Sequence, residues 1–237
     1  MISEYPPRPV TRPVMFQSWR SLTFLHWAYE PAEIRRHLPA QVALDTFDSA
    51  AWIGLTPFML TGLRPPFAPA LPWISSFPEM NVRTYVVGPD GERGIWFFTL
   101  EADRLMAVAG ARMFYGLPYR WARMSVRRHA WRVEYASVRH WPFRSAHSSI
   151  CVETGNRIES SEFDRFVTAR FRLYTRAMGR IVAAQIEHEP WPLQEARVIT
   201  LDQNVIEACN LSHPSAHPHA LHSSAIHVRI GRPQIVG

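Results

Sequence analysis

One short segment places a polar side chain at every second position of an otherwise largely apolar stretch. Glu79, Asn81, Arg83 and Tyr85 alternate there with two valines, a methionine and a threonine. Successive side chains of a β-strand point to opposite faces, so these four groups share one face. A carboxyl, an amide, a guanidinium and a phenol on one face can bind a small polar molecule or transfer a proton. The alternative is an ordinary half-exposed strand whose polar face contacts solvent.

The two charged residues of this face cannot pair with each other in an extended strand. Glu79 and Arg83 are separated by about 13 Å along the strand axis. If their face is interior, each needs another partner or a ligand, because an unpaired buried charge is costly or changes its protonation state. The planar guanidinium of Arg83 is suited to a carboxylate or an enolate, to which it can donate two parallel hydrogen bonds. We therefore expect an anionic or carbonyl-bearing organic ligand.

The basic residues restrict the chemistry further. All 26 are arginines, so the sequence contains no lysine. Schiff-base catalysis on a side-chain amine, an internal aldimine to pyridoxal phosphate and a P-loop lysine are thereby excluded. The sequence also lacks the dinucleotide-binding Gly-x-Gly-x-x-Gly, the hydrolase Gly-x-Ser-x-Gly and the zincin His-Glu-x-x-His motifs. We expect no cofactor, and these patterns assign no catalytic residue.

Histidines provide weaker candidates. His26 lies in an apolar context and His188 precedes a Glu-Pro-Trp sequence, and both are more typical of hydrogen-bonded core histidines than of general bases. A histidine-rich segment over residues 212–222 includes His217, His219 and His222. Its prolines and irregular spacing favour a tail that binds metal adventitiously over a catalytic metal site. We assign no metal-binding residue.

Composition indicates a single domain over residues 1–237, with 47% hydrophobic and 12% aromatic residues. The net charge of +6 comes from dispersed arginines without a nucleic-acid-binding motif, so we expect no specific nucleic-acid partner. Cys151 and Cys209 have no metal-ligand spacing and predict reduced thiols. Neither a signal-peptide pattern nor an apolar run of about 18 residues occurs, which predicts a cytoplasmic protein without a membrane partner. The sequence leaves homo-oligomerisation open.

Short strand-like runs separated by prolines predict a mainly β fold with a few helices. A hairpin turn is expected at Gly88–Gly91. Helices are predicted over residues 30–38, over 104–115, and after a Ser-x-x-Asp cap at Ser161. Strands are predicted over residues 15–29, 51–60, 80–87, 94–102, 132–139, 148–154, 169–174, 180–188 and 226–230.

Several ordered motifs carry a resemblance to a known family. The sequences FLHW, FPEMNVRTYV, GIWFFTL, YGLPY, RFRLYT and HEPWPLQ resemble the YqjF-like family, which is itself more distantly similar to acetoacetate decarboxylase. The resemblance implies an acetoacetate-decarboxylase-like closed β-barrel around a small cavity, and it favours an interior position for the face that carries Glu79.

The same resemblance locates a second part of the site. Acetoacetate decarboxylases carry their catalytic lysine in a Tyr-Gly-x-Pro-Lys-Lys segment, where this chain has Tyr-Gly-Leu-Pro followed by Tyr119 and Arg120. Schiff-base decarboxylation therefore does not transfer to this chain. The predicted ligand-binding residues are Glu79, Asn81, Arg83, Tyr85, Tyr119, Arg120 and His26.

Three functions follow, in order of preference. The first is a protein that binds a small organic molecule in a polar cavity. The second is a lyase or isomerase without an imine, in which Glu79 and Tyr119 transfer protons and Arg83 stabilises negative charge. The most distant is a basic module that binds nucleic acid or protein.

Overall fold

A computed structural model describes residues 2–104, 116–141 and 146–237. All thirteen strands in these ranges belong to one sheet. Two short α-helices, α1 (Pro31–Arg35) and α2 (Glu162–Thr168), and one 3-10 turn (Glu207–Cys209) accompany them. The strands are β1 (Pro13–Tyr29), β2 (Ala43–Leu44), β3 (Ala51–Arg64), β4 (Phe77–Val87), β5 (Arg93–Ala102), β6 (Tyr119–His129), β7 (Arg132–Trp141), β8 (His147–Arg157), β9 (Arg172–Ala177), β10 (Arg180–His188), β11 (Leu193–Gln203), β12 (His219–Gly231) and β13 (Gln234–Ile235).

Strand pairing closes two rings within this sheet. The larger ring has nine strands in the order β5-β6-β7-β8-β11-β12-β1-β3-β4, and the pairing of β4 with β5 completes it. The smaller ring has seven strands in the order β12-β10-β9-β5-β4-β3-β1, and the pairing of β10 with β12 completes it. The predicted closed β-barrel is thus confirmed. Because β4 belongs to both rings, its two faces contact different interiors.

The larger ring has an apolar interior. Alternate residues of β1, β3, β4, β7 and β8 pack there, among them Leu25, Ile53, Val82, Val133 and Ile150. Each of these side chains is at most 1% exposed. Burial of one such aliphatic side chain contributes about 1.5–3 kcal/mol relative to exposure. This core holds one face of β4 and so fixes which residues of that strand point into the smaller ring.

Helix α2 packs against the smaller ring. It begins with the predicted cap at Ser161, which is a full capping box: the Asp164 backbone N–H donates to Ser161 Oγ at 3.1 Å, and Ser161 N–H donates to Asp164 Oδ2 at 2.9 Å. Phe166 is buried and its ring lies 5.2 Å from that of Tyr85. This contact places the last turn of α2, including the Val167 carbonyl, beside β4.

The predicted strands recur in the structure, with four further strands beside them. Every predicted strand overlaps an observed one, whereas β6, β11 and the two-residue strands β2 and β13 were not expected. The turn at Gly88–Gly91 is confirmed, with Gly91 at φ +77° and its N–H donating to the Gly88 carbonyl. Helix α1 ends at Arg35, earlier than residue 38. The helix predicted over residues 104–115 lies almost wholly outside the described residues.

The prediction of a histidine-rich tail is wrong for its last residues. His219 begins β12, and His222 is completely buried within that strand. The prediction failed because the prolines before residue 219 mark a loop that enters a central strand. Both cysteines are free, as expected. None of the helices described is long and apolar enough to span a membrane.

Candidate functional site

The polar face of β4 points into the smaller ring. Glu79, Asn81 and Arg83 are 4%, 4% and 7% exposed, respectively. Met80 and Val82, on the opposite face, belong to the apolar core of the larger ring. The alternative of a half-exposed strand is therefore wrong for β4, which is buried on both faces.

These three residues line a small cavity of about 70 Å³. Since one water needs about 10–15 Å³ on this scale, the cavity accommodates roughly five water-sized groups. Each of the seven strands of the smaller ring contributes to its wall, and Leu117 and Tyr119 complete it. The remaining lining residues are Gln17, Trp19, Leu22, Thr56, Phe58, Leu60, Ile95, Phe97, Leu100, Leu173, Ile186 and Ile230. A compact molecule with polar and apolar parts fits such a wall.

At one end of the cavity, Tyr119 is paired with Glu79. The phenol donates a hydrogen bond to Glu79 Oε2 at 3.0 Å. Burial raises the pKa of Glu79 to about 8, although the Tyr119 hydrogen bond opposes this shift. Burial, reinforced by Glu79, also raises the pKa of Tyr119 well above its usual value. At neutral pH both groups therefore hold their protons, and Glu79 acts as a neutral carboxylic acid.

Toward the other end, Arg83 carries a positive charge into the cavity wall. Its Nη2 donates to the Val167 carbonyl at 3.1 Å, and its guanidinium lies 5.3 Å from the centre of the Phe24 ring. Its Nε is buried and has no hydrogen-bond partner among the described residues. Of the described residues that line the cavity, Arg83 is the one that is charged at neutral pH. A guanidinium in such a wall can bind an anionic group.

His26 and Tyr85 lie behind Arg83, outside the cavity wall. Tyr85 donates to the Val167 carbonyl at 2.8 Å, and His26 Nε2 lies 2.5 Å from the Tyr85 hydroxyl oxygen. Since the Tyr85 proton is directed to Val167, His26 Nε2 is the donor in this contact. Burial, followed by the charge of Arg83, lowers the pKa of His26 well below its usual value. Neutral His26 thus donates to Tyr85, and Tyr85 in turn donates to the Val167 carbonyl that Arg83 also contacts.

Close packing leaves no room for a side chain at Gly54, which faces this group. A Cβ atom there would lie 2.9 Å from His26 Nε2 and 3.4 Å from Arg83 Cγ. Contacts below 3.0 Å force a neighbour to move, and both neighbours are buried. Gly54 therefore makes space for the group that holds Arg83.

Three further residues of the cavity wall carry a buried polar atom that forms no hydrogen bond with any described residue: Trp19 Nε1, Thr56 Oγ1 and Asn81 Oδ1. An unsatisfied buried polar group costs about 1–3 kcal/mol. Their concentration around one cavity, together with Arg83 Nε, is typical of a binding site for a polar ligand.

Sequence analysis did not predict two of these residues as part of the site. Trp19 and Thr56 line the cavity although neither was a candidate. Thr56 had a weak signal, because it is the polar residue of an otherwise apolar stretch at the centre of β3. Trp19 had none, because a tryptophan in a strand is typical of an ordinary core position.

Arg120 does not join the cavity. It follows Tyr119 in β6 and so points to the opposite face of the strand, opposite Glu101 of β5. Its charge acts instead on Cys209, whose pKa burial raises to about 12. The histidine-rich segment also supplies no ligand set: His219 Nε2 contacts Asp164 at 2.7 Å, and no metal-binding cluster of three residues occurs in the described part of the chain.

A larger groove lies elsewhere. It is open, measures about 670 Å³, and lies between residues 5–6 and the ends of β1, β10 and β12. It contains Gln17 from the cavity wall but none of the predicted site residues. Size alone does not make it the better candidate, because several of its polar side chains, among them Glu189, His227 and Arg229, are exposed to solvent and need no ligand.

Solved structures with the same fold include acetoacetate decarboxylases and an enzyme of enduracididine biosynthesis. The enduracididine biosynthesis enzyme MppR, complexed with the condensation product of pyruvate and imidazole 4-carboxaldehyde, is 14% identical with a TM-score of 0.68, covering 96% of this chain and 90% of MppR. Acetoacetate decarboxylase from Legionella pneumophila is 12% identical with a TM-score of 0.64, covering 100% and 90% of the two chains. At these identities the similarity establishes the fold.

Sequence comparison identifies the family. The uncharacterized protein YqjF of Bacillus subtilis is 36% identical over 209 residues, which are 86% of this chain and 85% of YqjF. The model of the family DUF2071, described as an uncharacterized conserved protein, matches residues 16–227. The YqjF-like resemblance is thereby confirmed, and the chain belongs to the DUF2071 family, within an acetoacetate-decarboxylase-like fold.

Proposed function

We propose that this chain binds a small organic acid in the cavity between Glu79 and Arg83, and that it does so without a covalent imine. The observation that carries the proposal concerns buried Arg83 in the wall of a cavity of about 70 Å³: its Nε has no hydrogen-bond partner among the described residues. A carboxylate there would satisfy the cation, while the apolar wall would receive a short carbon chain.

The charge balance of the cavity supports an anion over a neutral or cationic molecule. Glu79 has a pKa of about 8 and does not neutralise Arg83 near pH 7. As an acid it can donate a hydrogen bond to a second oxygen of the ligand, and Tyr119 holds its carboxyl group in place. The ligand is thus a monocarboxylate with a short body, rather than a dicarboxylate.

Pyruvate is a suitable first probe. It is small, it carries both a carboxylate and a carbonyl, and it is the molecule named in a solved complex of MppR, which is 13% identical to this chain with a TM-score of 0.65. Ligand-observed NMR would measure its dissociation constant even in the millimolar range. Because the chain has no lysine, binding should leave no adduct after borohydride treatment.

Variants of Arg83 and Tyr119 test the site. Arg83→Met should abolish pyruvate binding, and Tyr119→Phe should weaken it by about 1 kcal/mol, since one hydrogen bond to Glu79 is lost. Arg123→Met, which removes an exposed arginine of β6, is the matched control and should bind as the wild type does. If Arg83→Met does not fold, Arg83→Lys keeps the charge and should bind more weakly. Unchanged binding by a folded Arg83 variant would contradict the proposal.

A second function is favoured by the Glu79–Tyr119 pair. A carboxyl group with a pKa of about 8 can both take and return a proton near neutral pH, and Arg83 can stabilise an enolate. Such a site would enolise a bound keto acid by removing a proton from the carbon beside the carbonyl and returning one to it. In deuterium oxide, pyruvate would then exchange its methyl protons faster with the wild type than with Glu79→Gln. Equal exchange rates would leave binding as the function.

A further inference from the structure

Thr56 and Asn81 face each other across two neighbouring strands inside the cavity. They are register partners in the antiparallel pairing of β3 with β4. Thr56 is fully buried and Asn81 is 4% exposed. Side chains at directly opposite positions have Cβ atoms about 4.5–5.5 Å apart. Both therefore approach the same part of the cavity.

Neither residue satisfies its hydrogen-bonding capacity within the described part of the chain. Thr56 Oγ1 and Asn81 Oδ1 are buried atoms without a partner. The amide oxygen of asparagine accepts hydrogen bonds and cannot donate them, whereas a threonine hydroxyl does both. The pair together requires a group that can donate to Asn81 and can also bond to Thr56.

Their position relative to Arg83 locates that group on the ligand. Asn81 is two residues from Arg83 on the same face of β4. A ligand whose carboxylate contacts Arg83 thus brings its neighbouring carbon atoms to Asn81 and Thr56. The polar group that these residues recognise is close to the carboxylate.

Three common substituents at such a carbon can be compared. A keto oxygen accepts only, and it would leave Asn81 Oδ1 without a donor. An ammonium group donates, but the nearby charge is the cation of Arg83, and Glu79, which is the carboxyl group among the described lining residues, is protonated and does not offset it. A hydroxyl donates one hydrogen bond and accepts two, which matches both residues.

We propose that the ligand of this cavity is a short hydroxy acid, and that Thr56 and Asn81 recognise its hydroxyl group while Arg83 binds its carboxylate. This inference rests on the proposed function, because it assumes that an organic acid enters the cavity. Beyond the proposed function, the inference names a hydroxyl group as the substituent that distinguishes the preferred acid from other acids of the same size.

Four probes of similar size distinguish the claim that the cavity binds an organic acid from the claim that it prefers a hydroxy acid. Ligand-observed NMR at pH 6.5 would compare lactate, propionate, pyruvate and alanine. Lactate should bind about tenfold more tightly than propionate, since two otherwise unpaired buried groups gain partners. Equal affinities of lactate and propionate would overturn the inference and leave the proposed function standing. Absence of binding by all four would instead overturn the proposed function.

Pyruvate also tests the orientation of the Asn81 amide. If the amide nitrogen instead of the oxygen faced the ligand, a keto oxygen would be the better partner. Tighter binding of pyruvate than of lactate would therefore overturn the assignment of a hydroxyl group. Tighter binding of alanine would do the same, because it would require a counter-charge in the cavity.

Near-isosteric variants assign the preference to these residues. Thr56→Val keeps the shape and removes the hydroxyl, so lactate affinity should fall toward that of propionate while propionate affinity stays constant. Asn81→Leu should have the same selective effect, and Thr61→Val, whose hydroxyl donates to the Ser18 carbonyl away from the cavity, should have none. Equal losses for lactate and propionate in the folded Thr56→Val protein would indicate a purely structural role and would contradict the inference.

Discussion

The stability of the Glu79→Gln variant relative to the wild type should increase as the pH rises. Burial raises the pKa of Glu79 from 4.5 to about 8. Below pH 4.5 the folded and unfolded chains both hold the proton, so folding involves no proton uptake. Between pH 4.5 and 8 the unfolded chain has released it while the folded chain keeps it. The wild type must therefore lose stability as pH rises through this window.

The size of the effect follows from the shift. One pKa unit corresponds to about 1.4 kcal/mol, so the full shift of Glu79 amounts to about 5 kcal/mol. No discount for solvent screening is needed, because Glu79 is 4% exposed. Glutamine keeps the shape and can still accept the Tyr119 hydrogen bond, but it does not titrate. The stability difference between Glu79→Gln and the wild type should thus grow by about 1.4 kcal/mol per pH unit between about pH 5 and 8.

Urea unfolding followed by tryptophan fluorescence would measure this difference at pH 5, 6, 7 and 8. The prediction concerns how the difference in unfolding free energy changes with pH, so a loss of stability that is the same at every pH does not affect it. Glu134→Gln on the exposed face of β7 is the matched control, and its stability should remain parallel to that of the wild type. Parallel curves for Glu79→Gln and the wild type would refute a buried, protonated Glu79.

Three further predictions concern other parts of the molecule. Burial lowers the pKa of both His188 and His222 to about 4, so each contributes up to about 3 kcal/mol of stability that is present above pH 6.5 and lost toward pH 4. In urea unfolding, His222→Asn should reduce the loss of stability between pH 6.5 and 4, and an unchanged loss would contradict this prediction. Ser161→Ala removes one half of the capping box of α2 and should lower the unfolding free energy by about 1 kcal/mol. It should also weaken pyruvate binding, because α2 carries the Val167 carbonyl that accepts a hydrogen bond from Arg83. Undiminished stability would contradict the role of the cap. Incubation with pyruvate and borohydride should add no mass to internal peptides, whereas an adduct mapped away from the N-terminus would show an amine that the sequence lacks.

The sequence predicted the fold where its signals were local. Period-two alternation located β4, and the Ser161–Asp164 cap located α2, because each depends on neighbours in the chain. The strands β6 and β11 were missed because charged side chains interrupt their apolar residues: exposed arginines in β6, and Glu195, Arg197 and Asp202 in β11. Their strand conformation depends on pairing with β5, β7, β8 and β12, which a local pattern does not contain.

The candidate site was predicted in part for the same reason. Glu79, Asn81 and Arg83 share one strand, so alternation alone placed them together, and the family resemblance added Tyr119 from a distant segment. Thr56 escaped notice because its role depends on the register of β3 with β4. Arg120 was grouped with Tyr119 from their adjacency in the sequence, but it does not line the cavity, because adjacent residues of a strand point to opposite faces.

The central claim is that a small organic acid binds to Arg83 inside the smaller ring. A crystal structure grown in saturating propionate would test it most directly. The expected result is a carboxylate within about 2.7–3.1 Å of Arg83 Nε, with the carbon chain directed along the cavity toward Glu79. Propionate found only on exposed arginines, with nothing but water-sized density beside Arg83, would contradict the claim.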